Sequence, residues 1–258
     1  MTDAGAHQAQ IDALWNFDDP IASEGRFRAA ADAADLTDRP ILLTQLARAL
    51  GLQGRYDEAA RLLDSLSGAE PELQVRVLLE RGRVLKSRGA PGEARPLFED
   101  ALAAATDAGF EHLAVDALHM VAIVAPPAEQ EALNRRALDL AAGADDPRAR
   151  DWRASLLNNL GWSLFERGDH EAALGLFEDA LAARIEQGKP GNIQVARWCI
   201  ARALRALGRL NEALAIQQAL AAEHAAAGTT DPYVQDELTE LVAAIQATPT
   251  AGSPPNPE

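Results

Sequence analysis

His112, Asp116 and His119 stand at i, i+4 and i+7 of the stretch HLAVDALH. On a helix that spacing gathers two imidazoles and a carboxylate on one face, a set able to ligate a metal ion. No second group of ligands accompanies them. A metal-dependent helical-repeat enzyme therefore stands only as an alternative, and neither metal nor cofactor is expected. Other chemistry finds less support. The chain carries no phosphate-binding GxxxxGK[ST] loop, no GxSxG and no GxGxxG. Cys199 is the only cysteine and lies in the apolar stretch VARWCIARAL. A buried free thiol acting as a small hydrophobe is expected there, and an intrachain disulfide is impossible. His170 falls in a turn, GDHEAA, and should face solvent. The chain is read as non-catalytic.

The elements that must position these residues come from a repeated phrase. It reads GRYDEAARLL at Gly54, GAPGEARPLFEDAL at Gly89, GDHEAALGLFEDAL at Gly168 and GRLNEALAIQQAL at Gly208. Gly54 and Gly89 are 35 residues apart, Gly168 and Gly208 are 40 apart, and the 79 residues between Gly89 and Gly168 leave room for one more copy. That copy is HLAVDALHMVAIV (112–124) followed by PPAEQEALNRRALDLA (126–141), with Ala125 in place of the turn glycine. Two successive prolines cannot sit inside a helix but can start one.

Superposed on their turns, the copies share a packing pattern. Seven residues before the turn come Ala47, Gly82, Leu118, Gly161 and Ala201; nine after it come Leu63, Phe98, Asn134, Phe177 and Gln217. A small residue opposite a large plug is what two closely packed helices require. With this register the chain resembles the tetratricopeptide repeat family over residues 38–227, and LLNNLGWSLFERGDHEAALGLFEDALAAR (156–184) matches the family pattern nearly throughout. The third copy departs most. Periods of 35 to 40 exceed the family's usual ~34 and resemble bacterial and kinesin-light-chain-like members. The resemblance implies an all-α, right-handed α-solenoid of antiparallel helix pairs that holds a protein or peptide.

The rest of the chain fits that frame. A divergent helix pair is expected over 1–37, with helices near 7–16 and 20–35 and with Trp15, Phe17 and Phe27 plugging the end. Five helix pairs follow over 38–227, then a capping helix within 228–247 that begins at Asp231-Pro232, then a disordered tail, TPTAGSPPNPE (248–258). There are 24 basic and 39 acidic residues, a net charge of −15, which disfavours nucleic acid as a partner. MTDAGAHQAQ does not read as a signal peptide, and the apolar stretch 113–125 carries Asp116 and is too short to span a bilayer. A cytoplasmic protein without membrane contact is expected.

Candidate binding residues emerge by counting back from each turn, along the helices that would line the inner groove. Six residues before it stand Arg48, Arg83, His119, Trp162 and Arg202, with no acid among them. Ten before stand Thr44, Leu79, Val115, Asn158 and Trp198; three before, Lys86, Phe165 and Arg205 join Gly51 and Ala122. Arg76 adds a further cation. Arg offers a planar fork for carboxylate and Trp a flat apolar surface. The expectation is a groove more positive than the molecule, taking a peptide or protein with acidic groups. Asn158 and Asn159 resemble part of the family's carboxylate clamp, but Thr44 and Arg48 stand where its Lys partner would be. Two alternatives stay open: a sensing module acting through a partner, and a homodimer formed through an end helix or the groove.

Overall fold

The computed structural model describes residues 3–247, with side chains from Gln8 onward; the tail 248–258, expected to be disordered, lies outside the described residues. By packing, the chain forms two compact units, Met1–Trp152 and Arg153–Glu258. The first contains α1 Asp3–Leu14, α2 Pro20–Ala33, α3 Asp38–Leu52, α4 Tyr56–Ser65, α5 Pro71–Ser87, α6 Pro91–Asp107, α7 Glu111–Val124, α8 Pro127–Ala142 and the single turn α9 Pro147–Arg150. The second contains α10 Arg153–Glu166, α11 His170–Gln187, α12 Pro190–Ala206, α13 Leu210–Ala226 and α14 Pro232–Ala247. There is no strand among the described residues. The fold is all-α, built of antiparallel helix pairs: α3/α4, α5/α6 and α7/α8 in the first unit, α10/α11 and α12/α13 in the second.

The boundaries follow from capping chemistry. Proline opens α2, α5, α6, α8, α9 and α12, where its missing N–H has no helical partner to lose. The Asp19 carboxylate accepts the Ala22 N–H at 2.9 Å at the start of α2. The phrase glycines end the first helices in the left-handed region, as at Gly168 with φ 88°, and the Asp169 N–H then bonds back to Leu164 O at 3.0 Å. The degenerate pair breaks differently. Ala125 is extended at φ −73°, ψ 152°, and the prolines after it supply the reversal.

Each pair closes on its plug. Phe98 and Phe177 are fully buried, facing Gly82 and Gly161. A Cβ on Gly161 would lie 2.5 Å from a Phe177 ring carbon, so the helices have approached as far as glycine allows. Where the plug is polar the fit is poorer. Gln217 is wholly buried and neither amide atom finds a hydrogen-bond partner among the described residues; Asn134 leaves its Oδ1 in the same condition. The N-terminal plug needs one correction. Phe27 is buried, but Phe17 is 56% exposed and lies stacked on Trp15, ring centroids 4.5 Å apart.

Gly161→Ala should lower the unfolding free energy of the second unit, read as a lower urea midpoint, by about 1–3 kcal/mol, although Ala is the better helix former by about 1 kcal/mol. Adding Phe177→Leu should restore part of the loss; an unchanged midpoint for the single variant would contradict the close-approach account. Gln217→Leu should instead raise stability by about 1–3 kcal/mol, since it removes a buried amide without partners. A calorimetric midpoint that drops would show that the amide is satisfied.

Candidate functional site

In the first unit, α3, α5 and α7 stand side by side and carry the expected column Arg48, Arg83 and His119. The column is not a free row of cations. Glu80, 3% exposed, receives a 2.5 Å bond from Arg83 Nη1 and lies 3.9 Å from Arg48 Nη1. Asp116, also buried, accepts from Arg83 Nη2 with both carboxylate oxygens at 2.6 Å. Burial pulls the Arg83 pKa down, but Asp116 and Glu80 outweigh it and raise the net value. Burial would raise Asp116, but Arg83 and then Arg48 hold it at about 2. The expectation of a groove with uncompensated positive charge is therefore corrected at Arg83. Arg76 is buried as well, bonded to Glu72 at 2.8 Å and to Gln8. Lys86 is exposed and makes no ion pair among the described residues.

Sequence reasoning missed Glu80 and read Asp116 as a metal ligand, because these acids lie in a different register from the arginines. Gln45, Glu80, Asp116, Asn159 and Cys199 all stand nine residues before their turns. Counting at that offset would have found them. The column ten before is largely core: Thr44, Leu79 and Val115 are buried, and the Thr44 hydroxyl donates to Ile41 O at 2.6 Å.

Arg48 is held otherwise. Its guanidinium lies over the Trp15 and Phe17 rings, 5.7 and 5.4 Å from their centroids, and it has no hydrogen-bond partner among the described residues. Trp15 Nε1 donates to Gln45 Oε1 at 3.1 Å, which fixes the shelf. At the far end of the row, Trp152 Nε1 donates to His112 Nδ1 at 3.3 Å, and its ring is 4.9 Å from that of His119. Burial lowers the pKa of His112 and pushes His119 down to about 4. With Asp116 bound to Arg83 and His112 accepting from Trp152, the metal reading of this trio has lost two of its ligands to structural roles. No group of three or more metal-ligating side chains is found among the described residues.

In the second unit, α10 carries Asn158, Trp162 and Phe165, and α12 carries Trp198, Arg202 and Arg205. Trp162 lies 6.1 Å from Trp198 and 5.1 Å from Phe165. The Cys199 thiol donates to Asn158 Oδ1 at 3.3 Å, and burial pushes it up to about 11, away from nucleophilic use. Asn158 Oδ1 is thus engaged by Cys199. The two arginines share one buried carboxylate: Glu237 of α14 accepts from Arg202 Nη1 at 2.5 Å and from Arg205 Nε at 2.9 Å. Trp198 Nε1 donates to Tyr233 O at 3.3 Å, and the two rings are 6.2 Å apart. So α14 packs on its own unit, and the expected positive charge of α12 is compensated there.

Two segments match sequence models of the tetratricopeptide repeat, residues 40–65 on α3/α4 and residues 153–186 on α10/α11. The chain contains tetratricopeptide repeats. Solved structures agree in fold. BtubC (BKLC) from P. vanneervenii is 20% identical with a TM-score of 0.57, over 95% of this chain and 96% of that one. The apo form of RapI is 13% identical with a TM-score of 0.66, over 94% and 70%. A Rap protein complexed with competence and sporulation factor is 16% identical with a TM-score of 0.60, over 93% and 67%. No curated protein matches the chain. No helix among the described residues is long and apolar enough to cross a membrane.

The buried ionisable groups of the first repeats make stability depend on pH. Between 6.5, the ordinary histidine value, and about 4, the unfolded chain takes up a proton that folded His119 refuses. Stability should fall on the order of 2–3 kcal/mol as pH drops through that window. Asp116, depressed to about 2, stabilises above its ordinary 3.8, and that contribution disappears as pH falls through about 2. His119→Gln should flatten the upper limb of a stability–pH profile and leave the lower one. A profile of unchanged slope between pH 6.5 and 4 would refute the assignment.

Proposed function

We propose that the chain is a non-catalytic repeat module that binds a protein or peptide on its first-helix faces, through groups that recognise carboxylates and flat apolar side chains. One observation carries the reading: in both units a partly exposed arginine lies over a pair of aromatic rings, Arg48 over Trp15 and Phe17, Arg202 over Phe165 and Trp198. The groups that could do chemistry are meanwhile taken up by structure, Asp116 by Arg83 and Cys199 by Asn158. A reducing, cytoplasmic setting fits a single buried thiol.

The pairing dictates the variants to use. Arg83→Glu would set a third carboxylate against Glu80 and Asp116 and unfold the unit, so it is uninformative. Arg48→Gln/Arg202→Gln alters partly exposed arginines, and buried Glu237, released by Arg202, keeps its bonds from Arg205. In affinity capture with mass spectrometry, this double variant, folded by circular dichroism, should lose at least about 90% of the partner recovered by the parent. Arg95→Gln/Arg209→Gln, which alters the ion pairs to Glu129 and Glu212, should retain it. Equal recovery by the double variant would sink the reading.

A further inference from the structure

The second unit shows what the arginine-over-aromatics arrangement takes. Arg202, six residues before Gly208, lies 5.8 and 5.7 Å from the Phe165 and Trp198 centroids. It receives a carboxylate, Glu237 at 2.5 Å, from a helix that also brings the Tyr233 ring to Trp198. The chain's own α14 thus presents an acid and an aromatic ring four residues apart to this surface.

Arg48 occupies the same register, six residues before Gly54, and likewise lies over two aromatic rings. Its ring distances match those of Arg202, and the side chains are 27% and 28% exposed. The difference lies in the acid. The carboxylate next to Arg48 is Glu80 at 3.9 Å, beyond hydrogen-bond reach, and Glu80 is itself bonded to Arg83 at 2.5 Å. Asp116, the next along, is bidentate on Arg83. Two arginines face two carboxylates, but both carboxylates sit on one of them. Arg48 therefore retains a fork of N–H donors at a partly desolvated position, beside a half-exposed aromatic shelf. Exposed Lys86 adds positive charge on the same set of first helices.

We infer that Arg48, with the Trp15–Phe17 shelf, is the subsite of the first unit that binds a ligand's carboxylate next to a flat apolar group. This rests on the binding reading proposed above and assigns that ligand's anchor to one place. The carboxylate could belong to an acidic side chain or to a chain terminus, and the probes separate the two.

The ligands to titrate are Ac-Phe-Glu-NH2, with a side-chain acid, and N-acetylphenylalanine, with a terminal acid, against neutral Ac-Phe-Gln-NH2 and N-acetylphenylalanine amide. The readout is the set of four tryptophan indole N–H resonances in the intact protein. The Trp15 resonance should shift saturably with one or both acids, at least tenfold more weakly with the amides, and at least tenfold more weakly in Arg48→Gln. Which acid is preferred identifies the source. Phe17→Ala, at an exposed position, should weaken binding similarly and serves if Arg48→Gln fails to fold. Equal titration by the neutral probes, or indifference to both variants, overturns the subsite. A shift confined to Trp162 or Trp198 overturns it while leaving the binding reading intact. No shift at any indole counts against both.

Discussion

Close approach of paired helices is the constraint on which the rest of this structure depends. Gly82 and Gly161 leave no room for a methyl group beside Phe98 and Phe177. With the plug seated, the rotation of each first helix is determined. A 3.6-residue period then decides which positions meet the partner helix, which fall between neighbouring first helices and which reach solvent. The offsets of seven, nine and six residues before the turn are consequences of that one contact.

Electrostatics follows from the rotation. Positions nine before the turn face the adjacent first helix in a region that excludes water. An acid there must find a cation, and Glu80 and Asp116 find Arg83. A buried pair of this kind adds little net stability, because desolvation offsets the attraction, but losing one member is costly. The pairing therefore acts mainly as a register device between α5 and α7 and draws Arg83 away from binding. Arg48, at the end of the row, meets the Trp15–Phe17 stack of the α1–α2 connection, where an aromatic face replaces a carboxylate.

Much of the fold was legible because it rests on local signals. Proline at helix starts and glycine at turns are readable within a few residues, the small residue and its plug within one repeat, and α14 was evident from Asp231-Pro232. Less legible were features requiring two distant segments. Phe17 was read as a plug by composition, yet it lies outside Trp15, since Phe27 already fills the core. The turn α9 was missed although Asp146-Pro147 carries the same start signal as α14. The acid-free positions were legible, but the neutralisation of Arg83 was not, because its acids stand in another register: Glu80 one turn before it on the same helix and Asp116 on the neighbouring first helix.

The amino-acid sequence by itself determined the helix pairs, their turns and the residues that share a face, because each depends on backbone propensity and a fixed helical period. Only the tertiary structure decided which arginines are available. Availability is set by whether another helix brings a carboxylate within about 3 Å, and no local pattern encodes that distance. Arg83 and Arg202 are met by such acids and Arg48 is not, though all three stand six residues before a turn glycine.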